Sequence, residues 1–210
     1  MDYLERMKEY YERRAAEYDD AYLGTGAYSG RDRPGFGEEL ARVVTLVGGL
    51  PPTRVLDVGC GTGFMTRHLK GEVVGLDQSA AMLRIARGRV PGATFVWGDA
   101  LGLPFPDGAF GRAFVGNLLG VLPPPARAAL VREAKRVASE LIVFETSDAL
   151  MGEAEQWQER ALSDALRYRI YRRYFAAGDI VEEIGGGGRV LFDGDHFVLV
   201  ASREADYDRL

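Results

Sequence analysis

Val55-Leu56-Asp57-Val58-Gly59-Cys60-Gly61-Thr62-Gly63 decides how the rest of the chain is read. An apolar run carrying one acid ends in glycines at every second position. That order predicts a buried strand, a tight turn and the start of a helix over 62–69. Glycines in such a turn permit positive φ and let backbone approach a ligand with no Cβ in the way. Backbone N–H groups at the following helix start favour a carboxylate or another anion.

Two kinds of nucleotide site fit this turn. The dinucleotide fingerprint is G-x-G-x-x-G with a further acid about 20 residues on. Here the third glycine comes one position earlier. Asp77, at the end of the second apolar run Glu72-Val73-Val74-Gly75-Leu76, suits a ribose-binding carboxylate in either case. Asp57 separates the two, because a negative charge there suits a ligand with an amino group and suits a pyrophosphate poorly.

The same reading extends outward in both directions. Strands are expected near 54–58, 72–76, 93–97, 111–116 and 140–145, with helices near 62–69, 79–88 and 124–138. Near-continuous apolar strands alternating with helices predict a parallel sheet covered on both faces. Residues 2–20 place Tyr11, Ala15 and Tyr18 on one helical face, Leu23 to Gly37 is a glycine-rich loop, and a helix is expected over 38–47. Residues 150–174 read as a charged helix with Trp157, Tyr168, Tyr171 and Tyr174 interleaved, followed by a short helix over 178–184. Gly185 to Gly188 lack the Lys-Ser/Thr ending of a phosphate loop and read as a turn. Residues 189–193 and 196–202, joined by Asp193-Gly194-Asp195, predict a hairpin.

The chain has 210 residues, 47% of them hydrophobic, which suits one domain with a sizeable core. Its net charge of −5 and pI of about 5.2 give no reason to expect nucleic acid or an anionic membrane as a partner. Cys60 is the only cysteine, so no internal disulfide forms. With His68 and His196 far apart, no transition-metal site is expected. The charged start Met1-Asp2-Tyr3-Leu4-Glu5-Arg6 does not read as a signal peptide, and no apolar run approaches the ~20 residues that span a bilayer. The expectation is a soluble, cytoplasmic protein.

Val55 to Gly63 resembles the first motif of the class I S-adenosylmethionine-dependent methyltransferases. Gly75-Leu76-Asp77-Gln78-Ser79 is similar to their second motif. Phe95-Val96-Trp97-Gly98-Asp99-Ala100, followed by Leu103-Pro104-Phe105-Pro106-Asp107-Gly108-Ala109-Phe110, is similar to the third. The resemblance is to the small-molecule branch that includes the quinone-biosynthesis C-methyltransferases, and it runs from about Tyr10 to Arg203. It implies an α/β fold: a Rossmann-like, doubly wound seven-stranded sheet, mostly parallel, with an antiparallel C-terminal hairpin and helices on both faces. The single methyltransferase domain would comprise an N-terminal cap helix and Gly-rich loop (1–37), a cofactor-binding core (38–146), a helical insertion or lid (147–177), and a final helix and hairpin (178–203).

The resemblance also implies S-adenosylmethionine as cofactor, S-adenosylhomocysteine as product, and a small-molecule acceptor methylated at oxygen, nitrogen or carbon. Gly59, Gly61 and Gly63 would bring backbone against the methionine part, with Cys60 a small packing residue in the same turn. Asp57 would compensate the ammonium, directly or through water. Asp77 would accept from both ribose hydroxyls. Gln78 would lie along the adenine, Asp99 would accept from its amino group, and the Ala100 N–H would donate to the ring. Asn117 lies just past a strand end on the same crevice, and Tyr11 and Tyr18 reach over it.

This sequence departs from the family pattern in two places. Phe110-Gly111-Arg112-Ala113-Phe114 lacks the acid often found near the start of the fourth strand, and Val137-Ala138-Ser139-Glu140 replaces a Pro-Gly-Gly turn. Glu145, Tyr11 and Tyr18 are candidate bases, and none is assigned. The acceptor is expected between the N-terminal helix and residues 147–175, against Trp157, Tyr168, Tyr171 and Tyr174. Arg167, Arg169, Arg172 and Arg173 at its rim suit an acidic substrate or simply a solvated face. Three alternatives stay open: a nicotinamide-dependent oxidoreductase, disfavoured by the glycine spacing and Asp57; a protein that binds S-adenosylmethionine without turnover; and methylation of protein or nucleic acid, disfavoured by the absence of a basic stripe.

Overall fold

A computed structural model describes residues 3–202. Five strands, β1 (Thr53–Val58), β2 (Gly71–Asp77), β3 (Thr94–Trp97), β4 (Phe110–Gly116) and β5 (Ala138–Thr146), pair in parallel. At the other end β8 (Arg189–Asp193) and β9 (Phe197–Ala201) form a hairpin, and β9 runs antiparallel to β5. The sheet order is β3-β2-β1-β4-β5-β9-β8. The chain winds from β1 outward to β3, then returns to place β4 on the other side of β1. That reversal leaves a crevice beyond the carboxyl ends of β1 and β4, where ligands bind in open α/β sheets.

The strand period of two sorts side chains to two core layers. Leu56, Val58, Leu76, Val115 and Val143 face one side, packed with α5 (Pro124–Val137) and α6 (Ala177–Glu183). Val55, Val73, Phe114, Ile142 and Phe144 face the other, against α3 (Phe36–Gly49). The remaining helices are α1 (Tyr3–Arg14), α2 (Asp20–Leu23) and α4 (Ala80–Arg89). α5 runs straight into β5, so the missing Pro-Gly-Gly turn costs only a loop. Arg112, standing where an acid is common, is buried on β4 in an ion pair with Glu140 of β5 and also donates to the Pro51 carbonyl at 2.8 Å.

Two expected helices are absent. Residues 62–69 form turns and a single 3-10 turn, Thr66–His68. Gly59, Gly61 and Gly63 all take positive φ (71°, 53° and 76°), and such alternation is incompatible with a right-handed helix. The anion-binding helix start expected there is therefore missing. Residues 150–174 are instead a two-stranded hairpin, β6 (Glu155–Ala161) and β7 (Arg167–Arg173). Its period is two: Arg167 and Arg169 are exposed while Tyr168 and Ile170 are buried. Those apolar residues pack on Met7 and Tyr10 of α1, and this contact fixes the segment as a half-buried strand pair.

Candidate functional site

The crevice at the strand ends has a volume of about 220 Å³. The turn after β1 delivers Gly59 and Gly61 to its floor, the end of β2 delivers Asp77 and Gln78, the turn after β3 delivers Asp99 and Ala100, and Asn117 follows directly on β4. Tyr11 and Tyr18 close it from the N-terminal segment. Asp57, Cys60 and Gly63, expected at the same site, do not border it.

Each of those three has another partner. The Asp57 carboxylate is buried behind the glycine turn and accepts from the Thr66 hydroxyl at 2.6 Å. Burial pushes its pKa up to about 7, the Thr66 hydroxyl opposing and the Asp77 charge adding. Cys60 is buried and its thiol is pushed well above its usual range, chiefly by desolvation, so it is no nucleophile. At Gly63 a Cβ would lie 3.3 Å from Ala86, so that glycine brings the turn against α4.

Asp77 is the best-placed acceptor. One carboxylate oxygen accepts from the Gly61 N–H at 2.9 Å and the other from the Ser79 N–H at 2.8 Å. A carboxylate offers about four lone-pair sites, so each oxygen retains capacity for a ligand hydroxyl. Burial raises its pKa, against the pull of these backbone donors. Asp99 accepts from the Leu101 N–H at 2.9 Å. Leu76, Met82 and Leu101 give the crevice apolar walls that the motif reading had not named, because an apolar residue in a strand or helix carries no mark of facing a cavity.

Asn117 adopts φ 53°, a left-handed conformation that asparagine tolerates better than most residues. Its N–H donates to the Phe144 carbonyl at 2.7 Å and its Nδ2 to the Tyr22 hydroxyl at 2.8 Å. Its Oδ1 accepts from the Thr146 hydroxyl at 3.1 Å, and that hydroxyl in turn accepts from Arg172 at 2.8 Å.

The N-terminal segment is fastened over the crevice by two polar clasps. Glu12 accepts from the Ser79 hydroxyl at 2.6 Å and the Ala81 N–H at 3.1 Å, at the start of α4. Asp19 accepts from the Thr62 hydroxyl at 2.7 Å and pairs with Arg89.

A second cavity of about 240 Å³ adjoins the first, and Tyr11, Tyr18, Asn117 and Val121 border both. It lies between the N-terminal segment, the β6–β7 hairpin and the β8–β9 turn, where the acceptor was expected. Its lining differs from the expectation. Tyr174 and Arg172 belong to it, whereas Trp157, Tyr168, Tyr171, Arg167, Arg169 and Arg173 do not. Arg14, Arg33, Arg160 and His196 line it and were not anticipated; they come from distant segments with no shared local pattern. The His196 ring nitrogen is bonded to the Pro34 carbonyl at 2.8 Å, while His68 lies away from both cavities against Arg67.

Of the candidate bases, Tyr11 and Tyr18 are held neutral, their pKa values pushed far up by burial. Glu145 is fully buried, accepts from the Gly120 N–H at 3.1 Å, and borders neither cavity. Burial raises its pKa to about 7, with Arg172 opposing. Among the described residues no cluster of three His, Cys, Asp or Glu side chains is placed to hold a metal ion.

Residues 55–140 match the family model described as a methyltransferase domain. The match runs from β1 through α5 to the first residues of β5. Demethylmenaquinone methyltransferase of Renibacterium salmoninarum is 35% identical over 114 residues, covering 52% of this chain and 48% of that protein. The enzyme of the same name from Thermotoga maritima is 40% identical over 101 residues, 46% of this chain and 43% of that protein. The chain thus spans about half the length of the curated relatives it matches. Among solved structures, a DhpI complex with SAM and HEP superposes with a TM-score of 0.75 at 22% identity, covering 96% of this chain and 98% of that one. A DhpI–SAH complex gives 0.72 at 23% identity, with 92% of each chain covered. These likenesses establish the class I methyltransferase fold, with the final strand pair antiparallel as expected. Among the described residues no helix is long and apolar enough to cross a membrane.

Proposed function

We propose that this methyltransferase domain binds S-adenosylmethionine in the strand-end crevice and transfers its methyl group to a small molecule in the adjoining cavity. The observation that carries the reading is Asp77. It is a carboxylate at a strand end, oriented by two backbone donors, facing a cavity whose floor is glycine backbone. That arrangement suits a diol beside an amino-acid moiety. Gly59 and Gly61 would face the methionine part, Asp77 the ribose hydroxyls, and Leu101, Ala100 and Asp99 the adenine. Asp57 would act on the ammonium from behind the turn rather than by contact. When bound, S-adenosylmethionine supplies an activated sulfonium methyl.

The chain's own residues then position and enclose the reaction. The acceptor's lone pair bonds to the methyl carbon as the carbon–sulfur electron pair returns to sulfur. In-line placement and exclusion of water supply most of the rate in such a transfer. Tyr11 and Tyr18 stand where the two cavities meet and cover that line. Calorimetry with S-adenosylmethionine, S-adenosylhomocysteine and NADH tests the reading. Micromolar binding of both sulfur compounds with no binding of NADH is expected, and binding of NADH alone would overturn it.

A further inference from the structure

We propose that the second cavity is an anion site that holds an oxyacid group (carboxylate, phosphate or phosphonate) of the methyl acceptor. This inference rests on the methyltransferase reading for its purpose, and on the cavity alone for its chemistry. Arg14, Arg33, Arg160 and Arg172 line the cavity, and no Asp or Glu does. Among the described residues none of these four guanidinium groups forms an ion pair. Many of the other arginines do, including Arg89, Arg112, Arg127, Arg136 and Arg173.

The four come together by construction. Tyr28 gathers three of them: its hydroxyl lies 3.4 Å from Arg14 and 3.4 Å from Arg160, and its ring centroid is 5.9 Å from the Arg33 guanidinium. Arg172 reaches the cavity from β7 and is steadied by the Thr146 hydroxyl and by the Tyr174 ring at 5.5 Å. A guanidinium carries five N–H donors, and the protein bonds of these four leave most of them free. Like charges gathered in a half-enclosed cavity repel unless an anion joins them. Arg172 feels the charge of the buried Glu145, but a neutral quinone ring would bring no counter-charge to Arg14, Arg33 and Arg160, whereas a planar or tetrahedral oxyanion matches the fork of the guanidinium.

The family model matches residues 55–140 alone, and all four arginines lie outside that stretch. The boundary shared with the crevice at Tyr11, Tyr18 and Asn117 sets an anchored acceptor beside the donor. Such an acceptor needs no arginine as base; the guanidinium groups fix its orientation while another of its atoms, or one of its own anionic oxygens, meets the methyl group.

The test is calorimetric titration of the full chain, with and without saturating S-adenosylhomocysteine. The probes are inorganic phosphate, methylphosphonate and benzoate, with benzyl alcohol as the neutral counterpart of benzoate. Saturable binding of at least one oxyacid is expected, and benzyl alcohol should bind at least tenfold more weakly than benzoate. Whether phosphate, phosphonate or carboxylate binds tightest identifies the group. Arg160→Gln and Arg14→Gln should each weaken that binding about tenfold, the loss typical of a charge-assisted hydrogen bond, with S-adenosylhomocysteine affinity unchanged. Either variant serves if the other does not fold. No oxyacid binding in either state, equal binding of benzyl alcohol, or unchanged oxyacid affinity in both variants would overturn the proposal. Failure of S-adenosylhomocysteine to bind would sink the methyltransferase reading separately, since the anion titration without it is read on its own.

Discussion

The two adjoining cavities differ in charge and in origin. The strand-end crevice presents carboxylates, Glu5, Asp77 and Asp99, with Lys8 as its single cation. The second cavity presents guanidinium groups and tyrosine hydroxyls and no carboxylate. The first suits a ligand that brings positive charge, and the second suits one that brings negative charge. Much of the first is built from residues 59–122, on turns that directly follow strands. The second is assembled from the N-terminal segment, the β6–β7 hairpin and the β8–β9 turn. On the proposed function, the scaffold fixes the donor site, and the parts added around it set the acceptor.

The largest expected effect breaks the donor side alone. Asp77→Ala should weaken S-adenosylhomocysteine binding at least about a hundredfold, because two hydrogen bonds to a charged group contribute on the order of 1.5–3 kcal/mol each. Oxyacid binding measured without the sulfur ligand should be unchanged. If both are lost together, the cavities are one site and the division by charge is wrong.

A pH experiment sharpens the same boundary. The Asp57 carboxyl is raised to about 7 by burial in the folded protein, against an ordinary value of 3.8. Both states are protonated below that ordinary value, so folding loses nothing there. As pH rises from about 4 through 7, the unfolded chain ionises first and stability falls, levelling off above the folded value. The full span is on the order of 4 kcal/mol at most. Asp57→Asn keeps the acceptor for Thr66 and removes the titration. Its melting temperature should fall less between pH 5 and pH 8 than that of the parent, by roughly 5 °C. Parallel profiles would show that Asp57 is ionised throughout and already compensated.

Gly59→Ala strains the turn itself. Gly59 has φ 71°, and an added Cβ would lie 2.8 Å from the Leu118 side chain. The side chain can yield, but the left-handed backbone costs about 1–2 kcal/mol for an L-residue. The expected outcome is a melting temperature lower by roughly 3–6 °C, with weaker S-adenosylhomocysteine binding and an unaltered oxyacid titration. An unchanged melting temperature would mean that the turn relaxes to another conformation.

What was legible in the sequence follows the same division. Val55 to Gly63, Asp77 and Asp99 could be read because buried parallel strands print as continuous apolar runs and the polar residue ending each is local to it. The misread segments lacked that property. Residues 62–69 carry enough apolar residues for a helix, but Gly59, Gly61 and Gly63 turn the chain left-handed. Arg167 to Arg173 crowds charge onto a strand whose buried partners, Met7 and Tyr10, sit at the far end of the sequence. Arg14 and Arg160 meet at one tyrosine hydroxyl across 146 residues, and no window of sequence shows that contact. The position of Asp57 was half legible: its presence in the motif is local, while its burial behind Thr66 is set by how the turn closes.

The smallest expected effect falls on the wall between the cavities. Tyr22 borders only the arginine side, whereas Asn117 borders both. The Tyr22 hydroxyl accepts from Asn117 Nδ2 at 2.8 Å, and its ring stacks on Phe64 with centroids 4.3 Å apart. Tyr22→Phe keeps the stacking and leaves one amide donor unpaired, a loss of about 1 kcal/mol, or roughly 2–4 °C in melting temperature. Asn117 retains its backbone bond to Phe144 and its contact with Thr146, so its left-handed geometry should survive. S-adenosylhomocysteine affinity should then stay within about twofold, under half a kcal/mol. A tenfold loss would mean that the Tyr22–Asn117 bond orients part of the donor site, and the wall would belong to both cavities energetically as well as by position.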